Sequence, residues 1–243
     1  METVRSQAGN VGEVEPRWPR VIANFAITWD GRISTRKRTP SHFSSASDKR
    51  RLLEIRALGD AVLAGAATVS ADTMSLGLPE GDLREQRISA GRSPSPLRVI
   101  VSQSGRMSVE WRVFQTMDVP LVVYATERME EQIRDRVRAR AELRLQTGGS
   151  LDLGRVLSEL RERDGVQTLV CEGGGRLILE LLRLGAVDEL YLTLCPWIFG
   201  GKTGVSLTGA PGLPLPVSAA WELVELRPLP ETGECFTQWR FKR

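Results

Sequence analysis

Glu172 is followed by Gly173, Gly174 and Gly175, then by Arg176 and an apolar run from Leu177 to Leu184. An apolar, β-type run (Leu169, Val170, Cys171) leads into the acid. Strand, glycine turn and helix start, in that order, suit an anion such as a phosphate. Glycine lets backbone approach a ligand closely, and the first N–H groups of a helix point at it. A single helix end contributes only about 0.3–1 kcal/mol toward an exposed anion, whereas micromolar affinity needs roughly 8 kcal/mol. The turn therefore requires partners. The same glycines would also serve as a tight connection with no ligand, and both readings stand at this point. The G-x-G-x-x-G fingerprint is not completed, because no acid follows about 20 positions on. Asp188 and Glu189 lie too near and open the next strand.

Other chemistries are limited by the residue inventory. His42 is the only histidine, so no multi-histidine metal site is expected, and a conventional catalytic dyad would have to use that residue. Cys171, Cys195 and Cys235 are widely spaced among apolar residues, with no C-x-x-C pair, which fits a reducing compartment. Of the 33 basic residues only Lys37, Lys49, Lys202 and Lys242 are lysines. Arginine suits bidentate phosphate recognition, but the same excess could reflect genome composition. A net charge of +3, with the charges interspersed, argues against a nucleic-acid partner.

The elements that must position Glu172 and its glycines follow from the apolar patterning. The 243 residues, 41% hydrophobic and 26% charged, suit one globular domain. Residues 1–18 read as a flexible leader, polar and without a signal-peptide core, and residues 19–243 as a single domain. No run reaches membrane-spanning length, so a cytoplasmic location is expected. Val21–Ile27 reads as a buried first strand closed by Asp30-Gly31. A helix runs from Asp48 to Leu58, with Leu52, Ile55 and Leu58 at helical spacing and Ser47 as N-cap. Strands are expected at Ala61–Ala64, Leu97–Val101, Val119–Tyr124, Leu143–Leu145 and Glu189–Leu194. Helices are expected at Glu127–Arg140 and Leu151–Arg163, and a short helical turn through Thr68 and Asp72. Gly77–Pro96, rich in Gly, Pro, Ser and Arg, is the best candidate for a mobile loop. Trp221–Arg227 and Cys235–Phe241 pair as a hairpin. Alternating strands and helices predict an α/β fold, a mostly parallel sheet covered on both faces with an antiparallel edge.

Several short segments, taken in order, are similar to one family. They are Asn24-Phe-Ala-Ile-Thr-Trp-Asp-Gly-Arg32, Leu53-Glu-Ile-Arg-Ala57, Gly65-Ala-Ala-Thr-Val-Ser-Ala-Asp72, Arg98-Val-Ile-Val101, Glu172-Gly-Gly-Gly-Arg-Leu177, Val187-Asp-Glu-Leu190 and Pro196-Trp-Ile-Phe-Gly-Gly201. From about Val21 onward the chain resembles the pyrimidine reductases of riboflavin biosynthesis, in a monofunctional form. The resemblance implies a dihydrofolate-reductase-like fold, NADPH as cofactor, a homodimer, and reduction of the ribosyl side chain of a diaminopyrimidine ribosylamino 5′-phosphate to the ribityl form. The zinc deaminase fused to many such reductases needs H-x-E and P-C-x-x-C segments; neither occurs here, so no deaminase activity is expected of this chain.

The resemblance also implies roles for individual residues. Asn24 (Lys in bifunctional bacterial members, Asn in the archaeal type), Ile27 and Asp30 border substrate and nicotinamide. Ser41 and Phe43 lie over substrate and cofactor; Arg56 and Leu76 are substrate contacts, Arg56 toward the phosphate. Thr68, Asp72, Ser102, Gly174, Gly175, Arg176 and Leu177 contact the cofactor, and Arg106 lies near its 2′-phosphate. Glu172 touches the substrate. Glu172 or Asp30 is the candidate proton relay, with no general acid assigned. The Val187–Leu190 segment is architectural, and Glu189–Leu194 with Pro196–Gly201 lies near the dimer contact.

Two departures separate the chain from the family pattern. Asp72-Thr-Met-Ser-Leu-Gly-Leu-Pro79 ends without the phosphate-binding arginine, and Ser102-Gln103 replaces Asp-Ser. Two other functions compete with the expected one. The first is a reductase of the same fold acting on another pyrimidine or pteridine, and the second is a non-catalytic nucleotide-binding module.

Overall fold

The apolar runs become the centre of one sheet in the computed structural model, which describes residues 17–34, 43–116, 118–201, 205–208 and 220–242. Along the chain come β1 (Arg20–Thr28), β2 (Arg32–Ser34), α1 (Ala46–Leu58), β3 (Ala61–Gly65), α2 (Ala66–Ala71), α3 (Asp82–Ser89) and β4 (Leu97–Ser102). Then follow α4 (Arg112–Gln115), β5 (Leu121–Thr126), α5 (Glu131–Arg138), β6 (Glu142–Gln146), α6 (Leu153–Glu162) and β7 (Thr168–Gly173). The chain continues through α7 (Gly175–Arg183), β8 (Val187–Cys195), β9 (Val205–Ser206), β10 (Trp221–Leu229) and β11 (Glu234–Phe241). The main sheet has nine strands in the order β10-β11-β8-β1-β7-β3-β4-β5-β6. β8 through β6 are parallel, and the C-terminal hairpin adds two antiparallel strands at one edge.

Alternation along the strands divides the core between the two faces. Ala23, Leu63, Val99 and Cys171 pack with Val156, Leu157 and Leu160 of α6 and Leu177, Ile178 and Leu181 of α7. Ile22, Val62, Ile100 and Val170 pack on the opposite face with Ile55 of α1, Val69 of α2, Phe114 of α4 and Val137 of α5. Each such side chain removed from water stabilises the fold by about 1.5–3 kcal/mol, which is why strands buried on both faces read as continuous apolar runs. Trp18, the last residue of the expected leader, packs against the α6–α7 side of the core. Residues 1–16 of that leader lie outside the described residues, as do Ser41 and His42. Among the described residues no helix is long and apolar enough to cross a membrane.

Helix α1 departs from its apolar reading. It buries Arg51, Ile55 and Arg56, whereas Leu58 is 49% exposed. The helix lies over strand carbonyls and carboxylates. The Arg51 guanidinium donates to Leu192 O, Thr193 Oγ1 and Thr237 O and sits 4.4 Å from the Phe236 ring centroid. The N-cap is Ser45, not Ser47: its hydroxyl accepts from Asp48 N at 3.2 Å. Ser45 is held in turn by the buried Glu234, whose carboxylate accepts from Ser45 N and Oγ at 2.7 and 2.5 Å.

The segment expected as a mobile loop, 77–96, contains α3 and is tied to the carboxyl end of α1. Arg87 donates to Ala57 O and Gly59 O, each at 2.7 Å, and Arg92 to Ala57 O, Leu58 O and Gly59 O. Two guanidinium groups thus satisfy carbonyls that a helix end leaves open. The charged helix is shorter than expected, because Thr126 O accepts from Met129 N in a turn ahead of α5. The short strands β2 and β9, which pair with each other, and α4 carried no apolar period by which they could be read.

Candidate active site at the carboxyl edge of the sheet

The candidate residues gather at one edge because the parallel strands all point to it. β1 ends at Thr28, β3 at Gly65, β4 at Ser102, β7 at Gly173 and β8 at Cys195. β7 lies between β1 and β3. Its successor α7 packs on one face of the sheet, whereas α1 and α2, which follow β1 and β3, pack on the other. Neighbouring strands that send their helices to opposite faces open a crevice, and α/β sheets bind ligands there.

The glycine turn lines this crevice. Gly174 is the N-cap of α7 at φ 93°, a conformation side chains rarely adopt, and no side chain caps the helix. The first N–H groups of α7 have no intrahelical partner. Thr68 of α2 stands against the turn: a Cβ on Gly173 would lie 2.7 Å from Thr68 Cγ2, and one on Gly174 3.0 Å from Thr68 Oγ1. Part of the glycine requirement is therefore packing between α2 and β7. Arg176 is exposed at the rim and Leu177 is buried in the core.

Glu172 does not project as an isolated acid. Arg56 Nε donates to Oε1 at 2.5 Å and Nη2 to Oε2 at 2.7 Å, with the two side chains only 7% and 1% exposed. Arg56 Nη1 also reaches Gly77 O at 2.9 Å. The register explains the meeting. Ile22 pairs with Val170 and Ala23 with Cys171, so Asn24 and Glu172 lie one step further on the face that α1 covers. Arg56 is thus a buried hub, not a solvated helix charge. Asn24 is buried nearby on β1.

The remaining candidates divide among rim, core and outer loop. Asp72 caps the carboxyl end of α2 and is exposed. Thr73 and Leu76 follow at φ 48° and 60°, the only non-glycine residues with positive φ among the described residues. Such backbone costs about 1–3 kcal/mol and persists where neighbours hold it; here Arg56 grips Gly77 O. Leu76 itself is fully buried in the core on the α1 side. Ser102 is buried at the end of β4. Arg106 is exposed on the loop beyond it, and among the described residues its guanidinium has no ion-pair partner. Gly105, at φ 68° against Met129, fixes that loop.

Asp30 is exposed, and three donors occupy its carboxylate. Thr28 Oγ1 donates to Oδ1 at 2.5 Å, Phe199 N to Oδ1 at 3.2 Å and Gly200 N to Oδ2 at 2.7 Å. The Thr28 hydroxyl, with the two backbone donors behind it, holds the Asp30 carboxyl below the usual carboxylate range. Phe43 meets Phe199 edge-on, ring centroids 5.2 Å apart, and Ile27 is half-buried against the core at the end of β1. Sequence reasoning missed Thr28, Phe199 and Gly200 as partners of Asp30. The only signal was the Gly200-Gly201 pair, whose positive φ values of 62° and 78° mark a tight turn. Among the described residues no group of three or more His, Cys, Asp or Glu could hold a metal.

The RibD C-terminal domain family matches residues 19–232. The chain belongs to that family. The 2,5-diamino-6-ribosylamino-4(3H)-pyrimidinone 5′-phosphate reductase of Archaeoglobus fulgidus is 34% identical over 184 residues, covering 76% of this chain and 83% of that protein. A pyrimidine reductase-like protein from Corynebacterium diphtheriae superposes with a TM-score of 0.79 at 21% identity, over 93% of this chain and 92% of that one. Dihydrofolate reductase from Enterococcus faecalis, solved with NADP(H), superposes with a TM-score of 0.52 at 14% identity, over 92% and 97% of the two chains. The fold of this RibD-type domain is dihydrofolate-reductase-like.

Proposed function

We propose that this protein reduces the ribosyl side chain of a diaminopyrimidine ribosylamino 5′-phosphate to the ribityl form in riboflavin biosynthesis, with NADPH as the reductant. The observation that carries this reading is the convergence of the glycine turn, Thr68 and the Arg56–Glu172 pair at one crevice. Its 34% identity to the Archaeoglobus fulgidus pyrimidinone 5′-phosphate reductase supports it.

The residues present fit the cofactor. Gly174 offers backbone with no Cβ in the way, the α7 amino terminus supplies N–H donors, and Arg176 in the first turn of α7 and Arg106 on the loop beyond β4 are exposed cations. Thr68 adds a hydroxyl, with Asp72 and Ser102 at the neighbouring strand and helix ends. NADPH, when bound, supplies the hydride that reduces C1 of the open-chain substrate. The chain orients the substrate: Asn24 and Glu172 face it from β1 and β7, and Arg56 holds the Glu172 carboxylate in place through both of its oxygens. Arg56 spends three of the five N–H groups of a guanidinium on Glu172 and Gly77, which leaves two for a substrate phosphate. A bound water delivers the proton to the substrate, since Arg56 donors occupy both oxygens of Glu172.

We further infer a cytoplasmic homodimer formed by one domain, residues 19–243. Exposed Leu223, Val224 and Leu226 on the edge strand β10, with Trp197 and Ile198 at 53% and 71% exposure, support an apolar contact. β8 is hydrogen-bonded on both sides, so it can contribute only a face.

Oxidation of NADPH, followed by its absorbance, with the ribosylamino pyrimidinone phosphate tests the assignment. Turnover with that compound supports it, and none, in protein that binds NADPH, removes it. Pro79 stands where the family carries an arginine, which favours a second reading, a reductase of the same fold acting on another pyrimidine or pteridine. The dephosphorylated pyrimidine and a pteridine in the same assay distinguish the two.

A further inference from the structure

We propose that Asp30 is a positioning residue, a clasp that holds the Trp197–Gly201 turn so that Phe199 stands against Phe43 beside the site. The inference rests on the reductase reading for its kinetic consequence and on geometry alone for the clasp.

β8 stops at Pro196, which has no N–H with which to continue the ladder, and the chain must then turn. The tip of β1 supplies what strand pairing no longer can. Trp29 N donates to Trp197 O at 2.9 Å, and Arg32 Nη2 to Gly201 O at 2.6 Å. Between these two bonds the Asp30 carboxylate accepts from consecutive backbone donors, Phe199 N and Gly200 N. Gly200 and Gly201, both at positive φ, let the turn present those donors.

The carboxylate is itself fixed. Thr28 Oγ1 donates to it at 2.5 Å and accepts from Arg32 N at 3.0 Å, while Gly31 N closes the tip onto Thr28 O at 2.8 Å. Phe199 is thereby set edge-on to Phe43, two residues ahead of the Ser45 cap of α1, the helix that carries Arg56. The consequence is an aromatic wall at the mouth of the crevice, built from two chain segments that share no backbone ladder among the described residues. A carboxylate with both oxygens taken by donors, and held ionised by them, is badly placed to deliver a proton. Its chemistry suits anchoring.

Two measurements test the clasp. In ligand-free protein, amide hydrogen exchange at Phe199 and Gly200 should be slow in the native chain. In Asp30→Ala it should be at least about tenfold faster, with the β1–β8 ladder unchanged. Asp30→Asn should behave similarly, since its amide nitrogen would face Gly200 N–H, donor against donor. In steady-state kinetics Asp30→Ala should raise KM about tenfold with kcat within about threefold, and Phe199→Ala should add little to it because both remove the same wall. Unchanged exchange at Phe199 and Gly200 overturns the clasp. A fall in kcat of a hundredfold or more at unchanged KM, roughly what general acid–base catalysis contributes, makes Asp30 a proton donor instead. If the native protein reduces none of the pyrimidines offered, the exchange arm still decides the clasp, and the reductase reading fails separately.

Discussion

Arg56 grips Glu172 through both carboxylate oxygens, at 2.5 and 2.7 Å, although the two residues are 116 positions apart in the chain. The pair joins α1 to the end of β7 at the point where the glycine turn begins. It therefore couples stability to the site, and the two effects can be separated by mutation.

Arg56→Met alone leaves a buried carboxylate unpaired and should cost about 3–5 kcal/mol, read as a melting temperature roughly 10 °C lower. Glu172→Gln leaves the guanidinium uncompensated and should destabilise less, while lowering turnover with NADPH affinity near native. The double variant Arg56→Met with Glu172→Leu should recover most of the melting temperature and none of the turnover. Recovery of both would make the pair purely structural.

Gly174→Val should abolish NADPH binding in a fluorescence titration. The φ of 93° and the Thr68 hydroxyl 3.0 Å from a new Cβ also predict a stability loss of about 1–3 kcal/mol. Thr68→Ala in the same chain should relieve the contact and not the backbone strain, so binding should stay lost. Native affinity in the folded Gly174→Val variant would assign the turn to packing alone.

Arg106→Ala should weaken NADPH by roughly three- to tenfold and NADH hardly at all, as expected for one exposed guanidinium on a phosphate. Raising the salt concentration should shrink the difference. Equal losses for the two cofactors would take Arg106 out of the 2′-phosphate site.

Alkaline pH should loosen the protein through its buried acids. Burial pushes the Cys171 thiol from 9.0 to about 12, and Cys195 and Tyr124 are likewise raised to about 12. A raised folded value means that the native state keeps a proton the unfolded chain gives up. That stability is present below pH 9 and is lost as the pH rises toward 12. For Cys171 the slope is at most ~1.4 kcal/mol per pH unit. Urea titrations from pH 8 to 11 should show the decline, and Cys171→Ala should flatten it. Iodoacetamide at pH 8 should leave Cys171 and Cys195 unmodified in the native protein. Rapid alkylation of either would contradict their burial.

Much of the framework was legible in the sequence, because burial on both faces of a parallel sheet requires uninterrupted β-branched and leucine-rich runs. Val21–Ile27, Ala61–Ala64 and Leu97–Val101 carry that mark, and each is a strand to within two residues. The strand–glycine–helix order at Glu172 was equally local, since a backbone at φ 93° demands glycine whatever surrounds it. What only the tertiary structure decided was pairing between distant side chains. No spacing rule relates Arg56 to Glu172 or Asp30 to Phe199; the sheet register and the inserted position of β7 bring them together. For the same reason α1 was misread: its buried face is set by waiting carboxylates and carbonyls, so arginines entered where the apolar period placed Leu58. The 77–96 segment, polar by composition, is anchored because two of its arginines reach the end of a helix that lies about 30 positions earlier in the chain. Periodicity records which way a side chain faces, and the partner it meets there is a property of the assembled sheet.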